Sequence, residues 1–350
     1  MQNLPSSPPP LRLIVFLSAL LSAAIATLLL LPSDPPGQPA PTAKKRKDTA
    51  WQTTNLARQP SNLARPPSNL AWQAPDTAQI PITKAGKLIR YGRDLISNTS
   101  TYLGPKGKIA AISNGMNCQN CHLDAGARAY ANSFAAVAST FPKYRDRSGR
   151  IESIEFRINE CLERSLNGRK IDSTSPEMRA MVAYLKWIGK EVPKGQRPPG
   201  AGIEELRFLT RGADTGKGRA IYQAKCQSCH GINGEGLPDT GRTAFTYPPL
   251  WGQQSYNVSA GLYRLSKLAG FIKYSMPFGT THTIPQLTDE QCWDVAAFIN
   301  GQPHPKKFFA YDWPLKKSKP VDYPFGPYTD SFPEQQHKYG PFGPIVRAHH

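Results

Sequence analysis

Near the N-terminus the chain carries an uncharged, mostly apolar run, Leu13 to Leu31, preceded by Arg12. That length is enough to cross a bilayer as a helix. Ala24-Ile25-Ala26 has the small-x-small form of a signal cleavage site, but Thr27 to Leu31 stays apolar beyond it, so an uncleaved N-terminal anchor over 1–31 is preferred to a cleaved signal. Between 32 and 83 no period survives: the stretch is rich in proline and carries three near-copies of a seven-residue unit (Asn55 to Ser61, Asn62 to Ser68, Asn69 to Pro75). Three copies are too few and too proline-rich to stack as a solenoid, which leaves a flexible linker. Helical spacing returns with Leu88, Tyr91, Leu95 and Ile96, then with Ile154, Ile158, Cys161 and Ser165, where Asn167-Gly168 closes the helix. Met181, Tyr184, Leu185 and Ile188 form an apolar face behind Ser175-Pro176-Glu177. A second round follows the break at Pro198 to Gly202: Asp214 caps a short helix through Tyr222, and Thr288 with Gln291 forms a capping box ahead of Val295, Phe298 and Ile299.

Each round holds one copy of the same short motif. The first helix leads to Cys118-Gln119-Asn120-Cys121-His122, and the short helix after Asp214 runs into Cys226-Gln227-Ser228-Cys229-His230. In C-x-x-C-H two thiols on one turn can bond both vinyl groups of a haem while the adjacent imidazole reaches the iron. Zinc ligation and a thioredoxin-like pair are the alternatives, and neither requires the terminal histidine. The motifs therefore assign Cys118, Cys121, Cys226 and Cys229 as anchors of two covalently bound haem c groups, with His122 and His230 as proximal iron ligands. The fold expected is mainly α: two cytochrome c-like domains in tandem with long irregular loops and an extended C-terminal segment. Its divisions are 1–31 (signal or anchor), 32–83 (linker), 84–197 (first haem domain), 198–213 (interdomain linker), 214–302 (second haem domain) and 303–350. The last segment carries nine prolines and a run of aromatics including Trp313, so an ordered extension is expected rather than a disordered tail.

Composition narrows the function. The formal net charge is +18, and most of it stays on the body after Lys84. Such a surplus suits nucleic acid, anionic lipid, an acidic redox partner or a small anion. Haem attachment is carried out outside the cytoplasm, so nucleic acid is set aside and a periplasmic body tethered to the membrane by its N-terminal segment is expected. The Lys44-Lys45-Arg46-Lys47 cluster runs against that topology under the positive-inside rule, and the haem motifs overrule it.

Sixth iron ligands are few. Met276, in Tyr274-Ser275-Met276-Pro277, lies on a loop between motif and closing helix, where a small cytochrome c supplies its distal sulfur. In the first domain Met116 is too close to its own motif, and Met178 and Met181 fit a helix core. Cys161 remains, with Arg157 four residues before and Arg164 three after. Two guanidinium groups there favour a thiolate able to bind iron and form a pocket for a dianion; a buried free cysteine with two solvated arginines is the other reading of the same pattern. Cys292 has no neighbouring arginine and reads as a structural thiol. His282, His304, His337, His349 and His350 are expected at the surface or in the tail.

The motif Asn117 to His122, the stretch Arg157 to Gly168, the run Tyr247-Pro248-Pro249-Leu250-Trp251-Gly252 and the tail Tyr323 to Tyr328 resemble the dihaem thiosulfate dehydrogenases, over about residues 84 to 350. The resemblance implies a periplasmic dihaem enzyme that couples two thiosulfate ions into tetrathionate, or runs in reverse, and sends two electrons to an external acceptor such as a small cytochrome c or high-potential redox protein. It implies that Cys161 is the thiolate ligand of the first haem. Arg157 and Arg164 would then offset the repulsion between two dianions, with Ser165, Asn167 and Gln119 orienting sulfonate oxygens. In some relatives a lysine beside the distal methionine competes for the second iron; here Ser275 stands next to Met276 and Lys273 is three residues back, so His/Met ligation is expected. Thiolate ligation should lower the first haem's potential and methionine raise the second's, which sends electrons from the first to the second. The rival classes are a dihaem carrier without a substrate, a haem subunit of a sulfur-oxidising multienzyme system and a dihaem peroxidase.

Overall fold

The computed structural model describes residues 71–241 and 243–349. The apolar run 13–31 and most of the proline-rich stretch lie outside the described residues. In the first half, Thr83 caps α1 (Lys84–Ser97) by accepting from Gly86 N at 3.2 Å, and α2 (Thr99–Leu103) follows. A 3-10 turn, Cys118–Asn120, carries the first motif. After α3 (Val137–Thr140) comes an antiparallel hairpin, β1 (Lys143–Arg145) with β2 (Arg150–Glu152), in which Tyr144 faces Ile151. Next are α4 (Ile154–Arg164) and α5 (Pro176–Ile188), the latter capped by Ser175 with a proline in its first turn.

The second half repeats the plan. Asp214 caps α6 (Thr215–Lys225) through Gly216 N and Lys217 N at 2.8 and 3.0 Å, and α7 (Gln227–His230) holds the second motif. A short ladder, β3 (Leu237–Pro238) with β4 (Phe245–Tyr247), is followed by α8 (Leu265–Ser275). α9 (Asp289–Gly301) has the expected reciprocal box: Thr288 N donates to Gln291 Oε1 at 2.9 Å and Gln291 N to Thr288 Oγ1 at 3.2 Å. Two further helices, α10 (Glu334–Tyr339) and α11 (Gly343–Ala348), belong to the C-terminal segment.

In both halves the opening and closing helices cross at a glycine. A Cβ on Gly92 of α1 would lie 1.9 Å from Ala180 O of α5, and one on Gly218 of α6 would lie 2.0 Å from Asp294 O of α9. Only glycine allows that approach. Around the first crossing pack Leu95, Ile96, Met178, Met181, Tyr184 and Ile188. Around the second pack Tyr222, Leu268, Ile272, Trp293, Val295 and Ile299, joined by Phe342 and Ile345 from the C-terminal segment. The molecule is therefore mainly helical, with two like units in tandem and few short strands.

A third cluster joins the units: Leu162 and Leu166 from α4 and its end meet Tyr256, Val258 and Tyr263 from the loop before α8. Asn257 fixes the register there, its N donating to Arg164 O at 3.1 Å and its Nδ2 to Glu163 O at 2.8 Å. Three features depart from the sequence reading. Residues 71–83, read as the end of the linker, lie on the first unit: Ile80 is buried, Trp72 N donates to Pro199 O at 3.0 Å, and Arg90 donates to Ile80 O and Pro81 O. The β1–β2 hairpin was not foreseen. Neither was α8, whose residues are nearly all buried, so no polar face marks its period.

Candidate haem-binding and active site

Both motifs are held as compact turns. Asn117 N donates to Asn120 Oδ1 at 2.7 Å and Asn117 Oδ1 accepts from Ser100 N at 2.8 Å, while Thr99 Oγ1 accepts from Cys118 N at 3.0 Å. His122 N and His230 N each donate to the carbonyl of their own first cysteine at 3.0 Å, which brings imidazole and thiols onto one turn. Burial pushes the thiols up, Cys118 to about 11, Cys121 to about 12 and Cys226 to about 11.

The imidazoles are set alike. His122 Nδ1 donates to Asn132 O at 2.6 Å and His230 Nδ1 donates to Pro248 O at 2.8 Å. Burial brings His122 down to about 4 and also lowers His230. Each ring is thus neutral, with its proton fixed on Nδ1 and its Nε2 lone pair facing away from the anchoring carbonyl. That is the state in which an imidazole binds iron, so the donor sets fit two haem groups.

α4 carries the candidate chemistry. Ser153 caps it through Phe156 N at 3.2 Å, and Cys161 is half-buried on its last turns. Cys161 lies within electrostatic reach of both anchor thiols, and its charge is the largest of the influences that raise the Arg157 guanidinium above its ordinary range. Arg157 Nη1 also pairs with Glu160 Oε2 at 3.0 Å and keeps about a third of its side chain exposed (32%).

Arg164 behaves differently from the expectation that it faces the substrate. Its side chain is 1% exposed, Nη1 and Nη2 each lie 2.7 Å from one Asp312 oxygen, Nη2 lies 3.1 Å from Glu160 Oε1, and the guanidinium stacks 4.0 Å over Phe309. Two carboxylates neutralise it, so it fixes α4 to the C-terminal segment and is not free to take a dianion. Asn167 is also committed, with its Oδ1 accepting from Asn257 Nδ2 at 3.0 Å in the turn that leaves α4. Ser165 is half-buried at the end of α4, its N donating to Cys161 O at 2.9 Å, and Gln119 is half-buried between the two anchor cysteines.

Sequence reasoning missed the hairpin and the C-terminal acid. Arg145 Nε lies 3.9 Å from Glu152 Oε2, and its pKa is lowered first by burial and then by Arg157. Lys143 is lowered by burial and then by Arg145 and Arg197, so these cations lie within electrostatic reach of one another. Arg147 Nε lies 3.4 Å from Asp312. Glu160 is the shared counterion: burial alone would raise its pKa, but Arg157, Arg164 and Arg147 hold it below the carboxylate range. Three arginines within Arg145-Asp146-Arg147-Ser148-Gly149-Arg150 were the available signal.

In the second unit Met276 is half-buried and ends α8, its N donating to Ile272 O at 3.0 Å. Lys273 is tied elsewhere, with Nζ donating to Leu287 O at 2.8 Å and 2.7 Å from Asp289. Cys292 is fully buried and burial pushes its thiol up to about 12. Two histidines expected outside are inside: His304 stands between Tyr256 O at 3.1 Å and Ile299 O at 3.2 Å, and His337 between Val321 O at 2.8 Å and Asp330 at 3.0 Å. Each has backbone and side-chain partners that repay its burial. His350 lies outside the described residues.

Residues 108–193 match the family model described as SoxA/TsdA, cytochrome c domain, and residues 216–302 match that of cytochrome c. The thiosulfate dehydrogenase of Allochromatium vinosum is 40% identical over 240 residues, 67% of this chain and 85% of the relative. That of Psychrobacter arcticus is 36% identical over 252 residues, 72% of this chain and 71% of the relative. Among solved structures, the thiosulfate dehydrogenase (TsdBA) of Marichromatium purpuratum superposes with a TM-score of 0.62 at 32% identity, covering 68% of this chain; the chain spans half (50%) of that longer protein.

Proposed function

Because this chain belongs to the thiosulfate dehydrogenases and has two cytochrome c domains in tandem, we propose that it is a dihaem cytochrome c that oxidises two thiosulfate ions to tetrathionate at Cys161. The observation that carries the site is the placement of Arg157 and Cys161 one turn apart on α4, with Cys161 within electrostatic reach of the first motif's thiols. Cys118, Cys121 and His122 hold one haem, and Cys226, Cys229, His230 and Met276 hold the other. When bound, the two haems would supply two one-electron centres able to take the electrons released below, and Cys161 would be available as a thiolate ligand to the first.

Arg157 binds the sulfonate of the first thiosulfate and directs its sulfane sulfur to the Cys161 sulfur. Forming the S–S bond between the Cys161 thiolate and that sulfane sulfur releases two electrons. The second thiosulfate then attacks the bonded sulfane sulfur, tetrathionate leaves, and Cys161 returns as thiolate, so the cycle consumes two thiosulfate ions and yields one tetrathionate and two electrons. Two unit charges of like sign at 4 Å repel by about 1 kcal/mol in water and more in a drier site. The charge on Arg157, which its pairing with Glu160 only partly offsets and which stays about a third exposed, lowers that cost. Arg164 acts through α4 as a positioning residue, and Ser165 and Gln119 line the approach to Cys161.

An external redox protein takes the electrons, and the reverse reaction is open to the same residues. The body is periplasmic. Among the described residues no helix is long and apolar enough to cross a membrane; the membrane anchor assigned to 1–31 lies outside them and is part of the proposal. The deciding experiment mixes purified holoprotein with thiosulfate and ferricyanide and measures tetrathionate, then repeats it with Cys161→Gly. Loss of turnover with both haems still attached is expected. Retained turnover in that variant overturns the assignment of Cys161.

A further inference from the structure

The loop that follows Met276 joins α8 to α9 and is largely bare: Phe278 is 91% exposed and Ile284 69%. One of its anchors is internal, Lys273 on Leu287 O. Two others come from the first domain. Arg128 Nη2 donates to Thr280 O at 2.5 Å, at a residue that is fully buried. The Tyr130 ring lies flat on the His282 imidazole, with centroids 3.5 Å apart and planes 13° from parallel. Tyr274 and Glu204 complete the seat of His282, at 4.7 Å between ring centroids and 3.2 Å from its Nε2.

The same segment of the first domain holds that domain's own iron ligand. Two residues after Tyr130, Asn132 O accepts from His122 Nδ1 at 2.6 Å. Tyr130 N and Asn132 N are pegged to Gly200 O and Gly202 O at 2.8 and 3.0 Å. Tyr130 and Asn132 both adopt left-handed backbone angles, with φ of 63° and 59°; asparagine visits this region readily, but a tyrosine keeps it only where its surroundings hold it there.

We infer that Arg128, Tyr130 and Asn132 form one positioning element for both ligand sets, in which Arg128 and Tyr130 hold the loop that presents Met276 while Asn132 holds His122. The inference rests on the reading of Met276 as an iron ligand. Tyr130 and Arg128 touch no reacting atom; they act through the loop, so that the second haem's axial sulfur is set from across the domain seam.

The test uses oxidised holoprotein and the variants Tyr130→Leu, His282→Leu and the conservative Tyr130→Phe. Three signals are read: the near-infrared sulfur-to-iron charge-transfer band, the second haem's midpoint potential, and hydrogen exchange of the Thr280 amide, which donates to Pro277 O at 3.0 Å. Both leucine variants should weaken the band and lower the potential, because methionine ligation raises it. They should also speed Thr280 exchange about five- to tenfold, the loss expected of one aromatic stack. Tyr130→Phe should keep all three signals. Leucine variants with unchanged band, potential and exchange overturn the inference. If the parent protein itself lacks the band, the assignment of Met276 falls and the inference falls with it; in a parent that has the band, leucine variants with equal Thr280 exchange overturn the inference alone.

Discussion

The two haem domains share a frame and differ in what is built between motif and closing helix. Both cross their outer helices at a glycine, Gly92 on Ala180 and Gly218 on Asp294, and both fix the motif histidine by a backbone carbonyl. In the first, the intervening helix α4 is amphipathic, with a thiol and a buried charge network of Arg147, Arg157, Arg164, Glu160 and Asp312. In the second, the corresponding helix α8 is buried nearly all round and ends on a methionine. Under the proposed function, one frame serves as a site for anions where the inserted helix brings charge and a thiol, and as an electron relay where it brings packing and a methionine.

The free cysteines give the strongest way to break this contrast. Cys161→Ala should lower thiosulfate turnover by roughly a thousandfold or more, as expected for loss of a covalent nucleophile. Cys292→Ala should leave turnover unchanged and cost about 1–2 kcal/mol of stability, through a small cavity in the core. Steady-state kinetics and thermal melts on the two holoproteins read both effects; equal loss of turnover in the two would erase the distinction. Next in size is Arg157→Gln. Removing one charge-assisted contact to a sulfonate should raise KM for thiosulfate by about 10- to 100-fold, with a smaller change in kcat. Arg164→Gln should instead show its effect mainly in the melt.

Asp312→Asn sharpens the comparison from the structural side. It leaves the fully buried Arg164 with Glu160 as its remaining carboxylate partner, and uncompensated buried charge of this kind costs about 3 kcal/mol. The melting temperature should fall, and KM should move as well, because Arg164 competes with Arg157 for Glu160. An unchanged melt would remove the C-terminal segment from the account of the site.

These expectations mark where local pattern was informative. The two haem c groups were legible because C-x-x-C-H is a motif complete within five residues, and α4 was legible because one of its faces is apolar. Asp312 was not, since the partner it meets is 148 positions away and a lone Asp in a proline-rich tail carries no period. The commitment of Arg164 was hidden for the same reason: in sequence it looked equivalent to Arg157, and only the arrival of Asp312 separates the buried clamp from the partly exposed arginine. Lys273 was flagged by its nearness to Met276, but Leu287 O and Asp289, which hold it, belong to the next helix's approach. Chain-local chemistry was readable; charge compensation between distant segments was not.

The smallest effect expected is a pH dependence in how the C-terminal segment is held to the second domain. Asp322 is fully buried, accepting from Arg264 Nε at 2.8 Å and from Ser266 N and Oγ at 3.1 and 2.6 Å. Burial alone would raise its pKa, but Arg264 and the Ser266 donors outweigh that and hold it below the ordinary carboxylate value. A lowered folded pKa means that the native state binds the proton less readily than the unfolded chain does. The stabilisation is therefore complete above the unfolded value of about 4, and it declines as the pH falls from there through the lower folded value. Asp322→Asn should flatten that part of the stability curve below about pH 4 while lowering stability at neutral pH. Because Asp322 is held by Arg264 and Ser266 of the second domain, the variant's KM for thiosulfate at neutral pH should stay at the parent value. A shift in KM as large as that of Asp312→Asn would mean that the two anchor points of the C-terminal segment act on the first domain as one.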